Sequence, residues 1–147
     1  MGQDESLPVL DDLQRYIDFS NENLSQLNNF IPEDHPVESI NLNGNKIRQF
    51  PLILHNLKFL DISQNNLNEI DFTKYKFTFD SLKNIRLASN NLTKIPDSLY
   101  DVTTISNISL ESNELSEENC DFSRFSNLTY LDLFLNVFNS IPSLPDS

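Results

Sequence analysis

The side chains able to do chemistry are few and widely spaced. The 147 residues hold two histidines, His35 and His55, one cysteine, Cys120, and two glycines, Gly2 and Gly44. A cysteine nucleophile needs an imidazole beside it, and no motif matches either histidine to Cys120. Cys120 lies between Asn119 and the apolar Phe122, which predicts a buried, inert thiol. His35 and His55 each stand two residues before the apolar residue that opens a short periodic segment, Val37 and Leu57, so stacking those segments would bring the imidazoles together. A bound metal needs three or four ligands, and no third or fourth ligand column accompanies them. Both are expected exposed at a strand entry, with no metal site. Two glycines cannot build a Gly-rich phosphate loop, which excludes folds that hold nucleotides that way. No catalytic residue, no cofactor and no small-molecule substrate is expected.

Charge narrows the partners. Twenty-two acidic residues against ten basic give a formal charge of −12. Binding to nucleic acid or an anionic membrane surface requires clustered Lys and Arg, so neither is expected. The single cysteine excludes an internal disulfide and fits a reducing, cytoplasmic setting. No run approaches the length of a membrane-spanning helix, and the acidic start Met1-Gly2-Gln3-Asp4-Glu5-Ser6 is unlike a secretory signal. The same six residues match the M-G-x-x-x-[ST] pattern for N-myristoylation of Gly2. Membrane association is expected only if Gly2 is acylated, and no basic cluster follows to reinforce one acyl chain. Four N-x-[ST] sequons, at Asn23, Asn91, Asn107 and Asn127, arise passively in a chain rich in Asn, Ser and Thr.

The elements that position these groups follow from twenty asparagines, far above ordinary usage. Five of them each follow an alternating apolar triplet and precede another apolar residue by two. The segments are Ile40-Asn41-Leu42 with Asn45 and Ile47; Leu60-Asp61-Ile62 with Asn65 and Leu67; Ile85-Arg86-Leu87 with Asn90 and Leu92; Ile108-Ser109-Leu110 with Asn113 and Leu115; and Leu131-Asp132-Leu133 with Asn136 and Phe138. Three positions before each triplet stand Val37, Leu57, Leu82, Ile105 and Leu128. Successive marker asparagines are 20, 25, 23 and 23 residues apart. Alternation puts both apolar residues of a triplet on one face of a short strand, which neighbouring copies must cover in a parallel sheet. Beyond the strand the backbone loses its ladder, and an amide side chain can satisfy the buried groups left over. Asn45, Asn65, Asn90, Asn113 and Asn136 are therefore expected to form a structural ladder.

The recurring LxxLxLxxNxL pattern resembles the leucine-rich repeat family over residues 37 to 142. Ile95-Pro96-Asp97-Ser98-Leu99 is most similar to the intracellular type found in Ras-suppressor-like proteins and in modules joined to PP2C-type phosphatases. The resemblance implies an α/β solenoid, a right-handed curved superhelix with a parallel β-sheet on the concave face and an irregular or short helical convex side. Phe50-Pro51, Ile95-Pro96 and Ile141-Pro142 mark the return of the chain. Asp71–Phe79 and Asp121–Phe125 are read as convex segments whose aromatics fill the back. Residues 1–16 are expected to be a tail and a short amphipathic capping helix, with Val9, Leu10, Leu13 and Tyr16 at helical spacing. Residues 17–147 then form about six repeats, the first degenerate, with Ile17, Phe19, Leu24 and Leu27 in place but Glu22 at the marker position. The last strand is expected to be an open edge, covered by a partner or continued in a longer protein.

The family usually binds protein on its concave face, and exposed aromatics there are the telling residues. Phe59, Asp61, Arg86, Glu111, Tyr130, Asp132 and Phe134 are the expected contacts for a protein partner. Ordinary cross-strand packing is the competing explanation. The resulting expectation is a non-catalytic interaction module in intracellular signalling. The alternatives are the targeting portion of a larger enzyme such as a PP2C-type phosphatase, and a fragment of an extracellular receptor or adhesin.

Overall fold

The computed structural model describes residues 10–26, 31–32, 34–48, 54–67 and 80–146. Among these residues six three-residue strands, β1 (Tyr16–Asp18), β2 (Ser39–Asn41), β3 (Phe59–Asp61), β4 (Asn84–Arg86), β5 (Asn107–Ser109) and β6 (Tyr130–Asp132), form one parallel sheet in chain order. The register is uniform. Ile17, Ile40, Leu60, Ile85, Ile108 and Leu131 lie directly opposite one another in successive pairs. The first five are buried and Leu131 is half-buried. The stack is a solenoid with its core on one side of the sheet, and the apolar triplets are the reason for it.

Each turn is tied to the next by the same set of bonds. Past the strand, Phe19, Leu42, Ile62, Leu87 and Leu110 donate their N–H groups to carbonyls of the following turn at 2.7–3.0 Å. Two residues later the chain enters the left-handed region, at Asn21, Gly44, Gln64, Ser89, Ser112 and Leu135. At the first five of these positions the N–H again donates across to the next turn, at 2.8–3.1 Å. A Cβ on Gly44 would collide with the side-chain oxygen of Asn21, so here glycine answers a close approach as well as a positive φ.

The marker asparagines complete the junction. The Asn113 Oδ1 accepts the Leu92 N–H at 3.1 Å, while its Nδ2 donates to Leu87 O at 3.0 Å and Leu110 O at 2.9 Å. Asn45, Asn65, Asn90 and Asn136 repeat this arrangement, accepting from Leu24, Ile47, Leu67 and Leu115. Each amide thus joins a donor in one turn to carbonyls in that turn and its own.

The return side is closed by short 3₁₀ turns at Asp97–Asp101, Glu117–Asn119 and Phe122–Arg124. Leu99 donates to Pro96 O at 2.9 Å, so the proline opens the first of them, as its fixed φ favours. Phe122 and Phe125 are buried, with Phe125 5.1 Å from the Tyr100 ring and 6.4 Å from Phe122. Aromatics do fill the back at Asp121–Phe125; the segments Asp71–Phe79, Phe50-Pro51 and Leu27, like Gly2, Pro8 and Val9, lie outside the described residues.

The expected capping helix does not form over residues 10–16. Asp11 instead organises a turn, its carboxylate accepting the Leu13 N–H at 2.9 Å and its carbonyl accepting the Gln14 N–H at 2.9 Å. Tyr16 is drawn into β1 by pairing with Ser39. The helical spacing is not used for burial, since Leu13 is 78% and Tyr16 52% exposed. The expectation for His35 is also corrected. It is buried beneath that turn, with Nε2 3.1 Å from Asp11 O and Nδ1 without a partner, whereas His55 is exposed.

Candidate functional site

Strand periodicity turns the first and third residue of each three-residue strand away from the core, so the outer face carries two ordered columns. One runs Tyr16, Ser39, Phe59, Asn84, Asn107, Tyr130 and the other Asp18, Asn41, Asp61, Arg86, Ser109, Asp132. Glu111 and Phe134 stand two residues beyond the second column, in turns joined by the Ser112 N–H to Phe134 O bond of 2.8 Å.

Much of the second column has local work. Asp18, Asn41, Asp61 and Asp132 each accept a backbone N–H from the residue two positions on, at 2.9–3.1 Å. This side-chain turn closes the strand end and explains why Asp or Asn recurs there. Bonds from the Ser20 hydroxyl and N–H hold the Asp18 carboxyl down at about 2.

The residues expected to contact a partner fall into two groups. Phe59, Asp61 and Arg86 form a cross-strand cluster. The Arg86 guanidinium lies 3.7 Å from Asp61 Oδ2 and 5.2 Å from the Phe59 ring, while Asp61 is buried. That group satisfies itself, in the manner of ordinary sheet packing. Tyr130 and Asp132 instead stand in β6 and Phe134 in the turn after it, with Tyr130 53% and Phe134 66% exposed. An open groove of about 550 Å³ joins the groups, and Asp61, Arg86, Ser109, Glu111 and Tyr130 are among its lining. Leu135, Val137 and Ile141 extend the exposed apolar surface past the last strand.

The groups with reactive side chains do not converge. Among the described residues no three His, Cys, Asp or Glu side chains gather to hold a metal ion. Burial raises the Cys120 thiol to about 11. Alkylation by iodoacetamide at mildly alkaline pH is therefore expected to run about a hundredfold slower in the folded chain than in denaturant, because the thiolate is the nucleophile. Equal rates, followed by mass spectrometry, would contradict the buried placement. No helix among the described residues is long and apolar enough to cross a membrane.

Comparison with known proteins adds no relative: no family model matches the chain, and no curated protein does.

Proposed function

We propose that the chain is a leucine-rich-repeat module, non-catalytic, whose outer sheet face is concave and holds a protein partner in intracellular signalling. The observation that carries the reading is the exposure of two rings, Tyr130, which lines the open groove, and Phe134 in the turn that follows its strand. Large rings left in water on an ordered surface cost free energy until a partner covers them, and such residues dominate interface energetics. The family reading is supported by the marker asparagines, whose amides join turn to turn at the recurring position of the pattern. A reducing location rests on the single buried, unpaired cysteine.

The test is quantitative affinity capture with the wild-type chain, Tyr130→Ala, Phe134→Ala and a control, Asn91→Ala, away from this face. A protein that binds the wild type and the control should be retained at least about tenfold less by either ring variant, a loss of about 1.4 kcal/mol. Equal retention by all four would remove this face as the partner surface.

A further inference from the structure

We infer that the β5–β6 part of the outer face accepts an arginine or lysine side chain from an extended basic segment of the partner; this rests on the reading of that face as the partner surface. Along the face, cation and anion are unevenly matched. Arg86 is the only cation in the strand columns, and its guanidinium is already held by Asp61 at 3.7 Å and by the Phe59 ring. Further along, Glu111 and Asp132 pair with no cation among the described residues. Asp132 uses Oδ1 to accept the Phe134 N–H at 3.0 Å, and its second oxygen takes no bond among the described residues.

The rings supply the other half of the site. Tyr130 is exposed in β6 two residues before Asp132, and Phe134 is exposed in the turn that Asp132 closes by accepting its N–H, so one short stretch of chain carries a carboxylate and two exposed aromatic rings. Glu111 borders Phe134 from the neighbouring turn and shares the groove lining with Tyr130. A guanidinium fits this combination, since its flat face stacks on a ring while its N–H fork binds carboxylates. A lysine stem can likewise lie on a ring while its ammonium reaches the acids. An aliphatic segment would take the two carboxylates out of water without compensation, and an acidic one would be repelled. A second copy brings its own charge of −12 to the contact. The same net charge favours approach of a basic partner.

The test is NMR titration of the full isotope-labelled chain with tri-arginine amide, with tri-alanine amide and tri-glutamate amide as controls. Tri-arginine is expected to shift the amide signals of residues 109–112 and 130–134 above all others. Glu111→Gln and Tyr130→Ala should each weaken that binding about fivefold or more, while Tyr130→Phe, which keeps the ring, should bind within about twofold of wild type. Raising salt from about 0.1 M to about 1 M shortens the screening length from about 10 Å to about 3 Å and should abolish it. Shifts spread evenly over the acidic return side, near Asp97, Glu117 and Glu118, would reduce the effect to unspecific charge and overturn the inference. Equal binding of tri-alanine, or variants that leave affinity unchanged, would do the same. Self-association abolished by Phe134→Ala would replace the basic segment with a second copy. If tri-arginine fails while Tyr130→Ala still releases a captured protein, the partner surface stands and only the basic segment falls.

Discussion

Replacing Asn113 by alanine is expected to destabilise the fold by about 2–4 kcal/mol, a large part of the roughly 5–15 kcal/mol that a domain of this size has. The deletion leaves the buried Leu92 N–H with no acceptor, at about 1–3 kcal/mol. It also removes donors from Leu87 O and Leu110 O. Those carbonyls keep a second amide, from Asn90 at 3.1 Å and Asn136 at 2.9 Å, so their loss is partial. Asn113→Asp separates the two halves of the effect. It retains an acceptor for Leu92 but sets a carboxylate against two carbonyls, so the variant should be no more stable at neutral pH and should recover in part on acidification. Protonation is favoured in its folded state, whose carboxyl is raised above the unfolded value, so the recovery appears as pH falls through that raised value. Asn91→Ala changes an exposed asparagine next to Leu92 and should stay within about 0.5 kcal/mol of wild type. Urea unfolding of the four proteins checks the series.

Phe122→Ala is expected to cost about 3–5 kcal/mol, the range for truncating a fully enclosed ring. The side chain is 0% exposed and packs toward Phe125, which in turn lies against Tyr100. Tyr100 accepts the Asp121 N–H at 3.0 Å, so the cluster also fixes where the return segment enters. A void at Phe122 therefore loosens two turns at once. At roughly 2–4 °C per kcal/mol for a chain of this length, the melting temperature should fall by about 6–20 °C. Phe134→Ala removes the same ring from an exposed site and should change stability by about 0.5 kcal/mol or less. Thermal unfolding followed by circular dichroism compares them, and similar losses for both would contradict the burial assigned to Phe122.

The strands and the asparagine ladder are legible in the sequence because two periodicities coincide. Alternation at Ile85 and Leu87 can be satisfied only by a strand covered on one side, and a polar amide recurring three residues past the triplet has few roles other than pairing buried backbone. The left-handed column is less visible. Gly44 announces it, and Gln64, Ser89 and Ser112 are compatible with it, but Leu135 occupies the same conformation against its own preference. Only the shared ladder bonds reveal the column as a rule. The helix expected near the N-terminus fails because Tyr16 gains more from pairing with β2 than from a short apolar stripe, and Asp11 caps a turn instead. Short helices need tertiary packing to persist, and Leu13 finds none. His35 shows the same limit, since its burial depends on where residues 10–15 fold back.

At the outer face the sequence identifies which side chains point away from the core but not which are already engaged. Alternation turns Asp61 and Asp132 outward as expected partner contacts, yet both close a strand end, and Asp61 also holds Arg86. The repeated Asp or Asn at that position is the signal that points to the turn-closing role. Exposure of Tyr130 and Phe134 depends on their turn having no described neighbour on its far side.

Adjacent turns are joined in register by one recurring set of bonds centred on the asparagines. Amide hydrogen exchange of the wild-type chain, resolved by residue, tests it directly. The N–H groups of Leu87, Ser89, Leu92, Leu110, Ser112 and Leu115 are expected to exchange at least about a thousandfold more slowly than free peptide, because each is held by the next turn. Leu133, Leu135 and Phe138 occupy the same positions in the last described turn without a described acceptor and are expected to exchange fast. Rapid exchange at Leu92 and Leu115, or slow exchange scattered without this period, would contradict the account.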